Sequence, residues 1–428
     1  MKVIKPVSSK YRNLSFSDFF VLWSDLGIGL LVLLAGAFLI PSLSFPVALI
    51  SIIIGTVLGT VLLSLVGFIG TQYALPTMFL TRSPLGVRGS YLPTVINILQ
   101  MIGWAIFEII IMSYSANAIT TKLFGFNHYH LWVLGISIAV VLLGISGPMV
   151  VVKNWLKKFA FWIMLLTSIW LSYRIFSTID IVKLIHLPGK GDLPFFQAID
   201  LVIAMPISWI PVVADYNRFG KEKRRAFFGT FTGFSLTNIW FYTLGALMSF
   251  GTPLAQTPKE FVTALLLTFS LPAFLIILVD ELDNAWADIY SATISLQNIF
   301  PFIKENTFIL ITSLISFLIA MVLDITQYSN FLLIISSLLV PLFGIFIAHY
   351  FFVHKKVAYV DLLKRKGRYW YFHGVHIKGM IAWAIGVFVY QYITYKFPAI
   401  GASIPSLAVS FLLYLLLTFK KNEGKQKS

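Results

Sequence analysis

The chain has 428 residues, of which 58% are hydrophobic and only 11% are charged. Soluble domains of this length do not have that composition, whereas a series of apolar helices of about 20 residues each accounts for it. The net charge of +15 indicates basic loops beside a membrane and not a nucleic-acid-binding surface. The absence of cysteine excludes a disulfide framework and thiolate metal sites.

Runs of apolar residues predict an all-α membrane protein with twelve membrane-spanning helices, called spans one to twelve here. Their predicted ranges are 17–40, 45–70, 91–121, 130–149, 155–176, 197–216, 227–250, 261–298, 307–324, 329–353, 379–396 and 401–419. An even number of spans returns both termini to the same side of the membrane.

Lysine and arginine are distributed unevenly between the two sets of predicted loops. The side that carries the termini holds 26 of them and the other side holds 6, which accounts for all 32. Basic loops remain in the cytoplasm. We therefore expect a multi-pass protein of the cell membrane with both termini cytoplasmic.

Spans one and six contain residues that interrupt helices. Span one carries an acid and two glycines within 23–29, and span six carries two prolines within 205–211. Both features free backbone hydrogen-bonding groups, which at membrane depth are tolerated where they line a cavity. If spans one to five and six to ten form two repeats, the interrupted spans occupy matching places, as in secondary transporters. The alternative is a pair of ordinary kinks packed by neighbours.

Span three carries a polar stripe. Asn97, Gln100, Trp104 and Glu108 are spaced so that all four project from one side of a helix. Glu108 lies among isoleucines, where an unpaired carboxylate is costly. We expect it to be protonated, paired, or available for a ligand that donates hydrogen bonds. The alternatives are a core role for Trp104 and an ion pair within the bundle for Glu108.

Span eight contains four acids within a helical pattern: Asp280, Glu281, Asp283 and Asp288. Measured around the helix from Asp280, Asn284 lies at about 40°, Asp288 at about 80°, Glu281 at about 100° and Asp283 at about 300°. A polar half of this kind indicates a pathway inside a bundle. The alternative is a helix end at which the acids face water.

Several segments resemble the nucleobase–cation symporters, the family of the cytosine permease and the hydantoin transporter. These segments are 67–70, 75–76, 81–93, 102–104 and 214–220. Within that family, segment 283–292 is most similar to the branch assigned to hydroxymethylpyrimidine, the pyrimidine precursor of thiamine.

The resemblance implies a five-plus-five inverted repeat with discontinuous helices one and six, plus two extra helices. The domains would be a cytoplasmic segment (1–16), a single transporter domain (17–419) and a basic cytoplasmic tail (420–428). Within the transporter domain, the first repeat would cover about 17–176, the second about 197–353, and the extra helices about 379–419.

The resemblance also implies a planar heterocycle held between spans one, three, six and eight. Trp104 matches the family's stacking tryptophan, and Glu108 stands where the family has an amide that hydrogen-bonds the ring. The family's span-six aromatic falls on Pro206, a departure that Trp209 could compensate from one turn away. The full predicted substrate-binding set is Trp104, Glu108, Gln100, Ser208, Trp209, Asp280 and Asn284.

A cation site between spans one and eight is implied at Asp25, Gly29, Asp283 and Asn284. Asp283 and Asn284 match a hydroxyl pair of the family, so an acid replaces a neutral group. The coupling ion is therefore sodium or a proton, and no other cofactor is expected.

The leading interpretation is a cation-coupled importer of a pyrimidine-type heterocycle, most readily hydroxymethylpyrimidine, working in the lipid bilayer without nucleic acid. The alternatives are a permease for cytosine or another nucleobase and, less readily, a passive channel. An enzyme is disfavoured because the sequence contains neither His-Glu-x-x-His nor Gly-x-Ser-x-Gly.

Overall fold

The computed structural model describes residues 5–147, 161–251, 271–323, 328–353 and 357–419. Within these ranges the chain is helical, and its β pairing is limited to two isolated bridges, Leu14 with Gly220 and Phe372 with Val375. The predicted tail at 420–428 and the predicted starts of spans five and eight, at 155 and 261, lie outside the described residues.

Helices occupy all twelve predicted positions in the part of the chain that the structure describes. Span one consists of Phe16–Asp25 and Leu30–Ala37, and span six of Phe195–Trp209, the 3₁₀ turn Ile210–Val212 and Val213–Asn217. The others are Phe45–Tyr73 (two), Tyr91–Phe124 (three), Tyr129–Ser146 (four), Phe161–Thr178 (five), Lys223–Gly251 (seven), Leu271–Ile299 (eight), Glu305–Ala320 (nine), Tyr328–Ala348 (ten), Ile377–Lys396 (eleven) and Ser403–Phe419 (twelve). Span ten continues into the π-helical turn His349–Val353.

The helices differ in length and hydropathy, the two properties that allow a helix to span a membrane. Among the described residues, six helices are long and apolar enough, and the bent pair of span one adds a seventh. Spans five, nine and twelve are shorter apolar helices. Spans seven and eight have 29 residues each, which at about 1.5 Å per residue exceeds the hydrocarbon thickness of about 30 Å.

The predicted break in span one is confirmed. Its two halves meet at an angle of 60°, and Gly29 between them has φ 151°, a region that residues with a Cβ rarely adopt. A Cβ on Gly29 would also lie 3.0 Å from Glu281 Oε1. The interruption in span six is milder, because the chain stays in line through the 3₁₀ turn and the whole of Phe195–Asn217 forms one span.

Small residues position span six against span two. A Cβ on Gly55 would lie 2.7 Å from Val202 Cβ, and one on Gly59 would lie 2.3 Å from Pro206 Cγ. Glycines four residues apart let two helix backbones approach closely, which is how membrane helices without a hydrophobic driving force pack. Span eight packs most extensively on span three, so the two polar faces predicted from the sequence meet.

Candidate functional site

A small cavity lies between spans one, three, six and eight. Its polar and aromatic lining consists of Trp104, Glu108, Trp209, Asn284 and Asp288, and the rest of the wall is mainly apolar residues of span one. Its volume is about 20 Å³, which is room for one or two water molecules. A heterocycle can therefore enter only if these spans separate.

Two tryptophans, Trp104 and Trp209, contribute aromatic walls to the cavity. The Trp104 ring packs edge-on against Phe331, with centroids 5.4 Å apart and an interplanar angle of 75°. The Trp209 ring packs edge-on against Trp23 at 6.2 Å and 83°. Trp23 is itself fixed, because its Nε1 donates to Asn217 Oδ1 at 3.0 Å. Edge-to-face contacts of this kind hold each indole in one orientation.

Glu281 caps the second half of span one. Its Oε1 accepts a hydrogen bond from the backbone N–H of Leu30, the first residue of that half-helix. The side chain is fully buried, and a helix N-terminus supplies both the N–H donor and the positive end of the helix dipole. Asn284, one turn further along span eight, donates from Nδ2 to Ile28 O at 3.3 Å. Span eight thus holds the break of span one from both sides of Gly29.

Glu108 and Glu281 form a carboxyl pair across the interface of spans three and eight. Their side chains are hydrogen-bonded to each other, and both are buried. An ionised carboxylate only accepts hydrogen bonds, so this bond requires a proton on one of the two groups. Since Glu281 also accepts from the Leu30 N–H, Glu108 is the natural donor in this bond.

Two further buried acids lie close by. Asp288 lines the cavity, and its Oδ1 accepts no hydrogen bond from any residue that the structure describes. Asp25 ends the first half of span one, and its Oδ1 is likewise without a hydrogen-bond partner in the described part of the chain. Buried oxygens of this kind are costly unless a ligand, an ion or a proton satisfies them.

The sequence matches the family model described as permeases for cytosine/purines, uracil, thiamine and allantoin over residues 6–410. The chain belongs to this permease family. The match covers nearly the whole protein, and the family consists of membrane transporters, so the permease is not an enzyme.

Curated relatives of the permease are distant but long. The hydantoin permease of Microbacterium maritypicum is 22% identical, over 89% of this chain and 82% of that protein. The putative purine-cytosine permease YxlA of Bacillus subtilis is 24% identical, over 100% and 98%. The cytosine permease of Escherichia coli is 26% identical, over 72% and 71%.

Solved structures confirm the fold. The permease is similar to the nucleobase–cation symport transporter Mhp1 in a closed conformation with bromovinylhydantoin bound, with a TM-score of 0.84, 20% identity, and coverage of 96% of this chain and 93% of that one. An inward-facing structure of Mhp1 gives a TM-score of 0.78 at the same identity, with coverage of 97% and 92%. The all-α fold of five-plus-five spans with two extra helices is therefore confirmed.

The permease brings several predicted site residues together at the cavity. Trp104, Glu108, Trp209, Gly29 and Asn284 all line it. They come from four different spans, so their convergence is a property of the fold and not of one helix.

Two predicted substrate ligands lie beside the cavity and not in its lining. Gln100 Nε2 donates to Asn97 Oδ1 at 2.8 Å and to Ser208 O at 2.9 Å. Ser208 Oγ donates to Met205 O at 2.7 Å. The Gln100 side chain therefore ties span three to span six in this conformation, whereas the Ser208 hydroxyl bonds within span six.

Two of the predicted cation ligands, Gly29 and Asn284, lie together at the break of span one. Asp283 is buried, but the span-eight residues nearest to Gly29 are Glu281 and Asn284. The side chain of Asp280 lies outside the described residues. No group of three or more His, Cys, Asp or Glu side chains able to hold a metal ion occurs in the described ranges.

The sequence analysis placed Glu281 and Asp288 on the polar half of span eight but in neither predicted ligand set. The helical angles carried this signal: Asn284, Asp288 and Glu281 fall within about 60° of one another around span eight, whereas Asp283 lies about 100° from the nearest of them. Carrying over the family's ligand positions favoured Asp283, and the packing of span eight on span three favours Glu281.

Proposed function

We propose that this permease imports a pyrimidine-type heterocycle together with a sodium ion or a proton, and that hydroxymethylpyrimidine is its preferred substrate. One observation carries the proposal: a carboxyl group, Glu108, lines the cavity beside Trp104 and shares a hydrogen bond with a second carboxyl group, Glu281.

An aminopyrimidine fits such a carboxyl group by its hydrogen-bonding edge. It presents an exocyclic NH₂ donor next to a ring-nitrogen acceptor, and a protonated Glu108 offers one donor and one acceptor to match. The ring nitrogen is also basic, so it can take the proton and leave a bidentate pair between a cationic ring and a carboxylate. Charge-assisted pairs of this geometry are about twice as strong as neutral ones.

Uracil and hydantoin present carbonyl groups next to N–H groups and have no basic ring nitrogen. They can pair with a neutral acid but cannot form the charge-assisted pair. Cytosine has both the amine and the ring nitrogen, so Glu108 does not discriminate against it. A permease for cytosine or another nucleobase is therefore the second candidate, and the names of the relatives support it equally.

Hydroxymethylpyrimidine is placed first because of the resemblance of segment 283–292 to the branch assigned to that compound. Asn284 and Asp288 of this segment line the cavity, where they can contact a ring substituent. The tryptophans supply stacking, which depends little on the substituents of the ring.

The coupling ion is proposed to bind next to the break in span one. Asp25, the carbonyl of Gly29, Asn284 and Asp283 provide hard oxygen ligands of the kind that sodium prefers, and Asp283 offers a carboxylate for a proton. Accumulation of substrate against its own gradient distinguishes this coupled mechanism from a passive channel.

The decisive test is a binding and uptake comparison with the purified permease. Hydroxymethylpyrimidine, cytosine and uracil are titrated with and without sodium at two pH values, and uptake is then measured in proteoliposomes with an imposed sodium or proton gradient. We expect hydroxymethylpyrimidine to bind best, cytosine second and uracil barely. Equal binding of uracil and the aminopyrimidine contradicts the proposed role of Glu108.

A further inference from the structure

A basic pocket lies where the N-terminal segment, the end of span two and the start of span seven meet. Its volume is about 450 Å³, and its cations are Arg12, Lys221, Lys223 and Arg224. The carboxylate in its lining, Glu222, is engaged by Arg225, with Oε2 and Nε 2.8 Å apart. The pocket therefore has a strong positive excess that its own lining does not neutralise.

Two of these cations hold the pocket together. Arg12 donates from Nε to Gly220 O at 3.1 Å and from Nη2 to Thr71 O at 2.8 Å, and Lys223 Nζ donates to Gln72 Oε1 at 3.0 Å. The side chains of Lys221 and Arg224 are exposed and donate no hydrogen bond to a described residue. The walls are thus fixed while two cations remain available to an anion.

An apolar groove continues from the basic pocket. This phenylalanine groove has a volume of about 420 Å³ and is lined by Leu65, Phe68, Phe227, Phe228 and Phe351, with Arg224 shared between the two cavities. The Phe228 side chain is 55% exposed. Lys223 Nζ lies 4.8 Å from the centroid of the Phe68 ring, so a second cation also stands at the junction.

The basic pocket and the phenylalanine groove lie at different depths along spans two and seven. Span seven begins at Lys223, and Phe227 lies three residues after Arg224, about 4.5 Å further along the helix. Leu65 and Phe68 precede the end of span two at Tyr73 by one to two turns. The cations therefore lie at the helix ends and the phenylalanines lie deeper, the order in which a phospholipid presents its phosphate and its acyl chain.

We propose that the basic pocket and the phenylalanine groove together bind one anionic phospholipid. Its phosphate contacts Lys221 and Arg224 near the N-terminus of span seven, where the helix dipole adds attraction for an anion, and an acyl chain lies along the groove. Basic pockets between membrane helices bind lipid headgroups in this way. The adjoining groove favours a lipid over a soluble phosphate, which has no apolar part to fill it.

Native mass spectrometry of the purified permease in detergent, titrated separately with phosphatidylglycerol and phosphatidylcholine, tests the site. We expect a saturable phosphatidylglycerol complex and much weaker phosphatidylcholine binding. The double variant Lys221→Ala/Arg224→Ala should weaken phosphatidylglycerol binding by about thirtyfold, because two basic residues near the phosphate are removed. Lys221→Arg/Arg224→Lys should restore it.

The matched control is Lys304→Ala/Lys364→Ala, which removes the same charge from exposed positions elsewhere and should bind as the unchanged protein does. Phe228→Ala should weaken the phospholipid complex, and inorganic phosphate at the same concentration should not displace it. Equal loss in the control variant, or displacement by phosphate with no effect of Phe228→Ala, overturns the proposal in favour of diffuse attraction or of a soluble anion.

Discussion

Glu281 connects the break of span one to the polar face of span three. It accepts from the Leu30 N–H and is hydrogen-bonded to Glu108. We predict that Glu281→Ala lowers the free energy of unfolding by about 1–3 kcal/mol, since it leaves two buried groups without their partner. Glu281→Gln keeps an acceptor for Leu30 and should lose much less. The measurement is the thermal unfolding midpoint of both variants in the same detergent. If Glu281→Ala and Glu281→Gln unfold at the same temperature, the capping role is wrong.

Glu108 carries the proposed discrimination between heterocycles. We predict that Glu108→Ala weakens binding of hydroxymethylpyrimidine by about 100-fold, because a site built around a hydrogen-bonding group strongly depends on it. Ser208→Ala is the control, since the Ser208 hydroxyl donates to Met205 O and lies outside the cavity lining. Calorimetric titration with hydroxymethylpyrimidine measures the affinity of both variants. A comparable loss of affinity in the two would assign the effect to packing of spans three and six.

The predicted cation ligands Asp25 and Asp283 are expected to carry the coupling. Asp283→Ala should abolish the stimulation of uptake by an ion gradient while the protein remains inserted, and Asp25→Asn should weaken it because the Asp25 Oδ1 atom is buried without a hydrogen-bond partner among the described residues. Counterflow, which needs no ion gradient, should persist in both variants. If Asp283→Ala retains full dependence on the gradient while Asp25→Asn does not, the ion site is centred on Asp25.

At the scale of the element, the geometry of span one depends on Gly29. We predict that Gly29→Ala costs about 1–3 kcal/mol of stability through backbone strain, and that it displaces Glu281, whose Oε1 would lie 3.0 Å from the new Cβ. Gly135→Ala in span four is the matched control, because no atom lies within 4 Å of its added Cβ and alanine favours a helix. The unfolding midpoint and the substrate affinity should fall for Gly29→Ala, whereas Gly135→Ala should lower neither.

The spans could be located from the sequence because apolar length alone determines them. The break in span one was also predictable, since glycines and an acid at mid-span leave few other possibilities. The position of the interruption in span six could not be predicted. Pro206 is accommodated inside the helix, and the helix is interrupted at the turn Ile210–Val212. Whether a proline bends a helix depends on the neighbours that satisfy the freed carbonyl groups, and these come from distant parts of the chain.

The residues that span three contributes to the candidate site could be predicted from the sequence, but those that span eight contributes were harder to predict. Trp104 and Glu108 lie on a regular stripe, so one helix determines their direction. For span eight the sequence gives the angles between its acids but not which angle faces span one. That rotation is set by packing against span three, and it brings Glu281 to the Gly29 break.

At the scale of the whole molecule, backbone contacts sort the loops into two faces. On one face Leu14 N donates to Phe219 O at 3.1 Å and Arg88 N donates to Gly374 O at 2.8 Å, so the N-terminal segment and three basic loops lie on the side of the basic pocket. On the other face Lys190 N donates to Pro41 O at 2.9 Å. This grouping agrees with the predicted alternation of the loops between the two sides of the membrane.

The orientation of these faces is the last prediction, and it follows from the 26 basic residues on the first side against 6 on the other. Basic loops resist translocation, so the face with Arg88 and Lys364 should be cytoplasmic. Reporter fusions after Lys364 should be active only as a cytoplasmic reporter, and fusions after Lys190 only as an external one. Reversing the charge bias near the N-terminus, by Lys5→Glu and Lys10→Glu, should leave this result unchanged because the remaining loops hold most of the charge. An external signal after Lys364 in the unchanged protein would contradict the predicted cytoplasmic orientation of the face that carries the basic pocket.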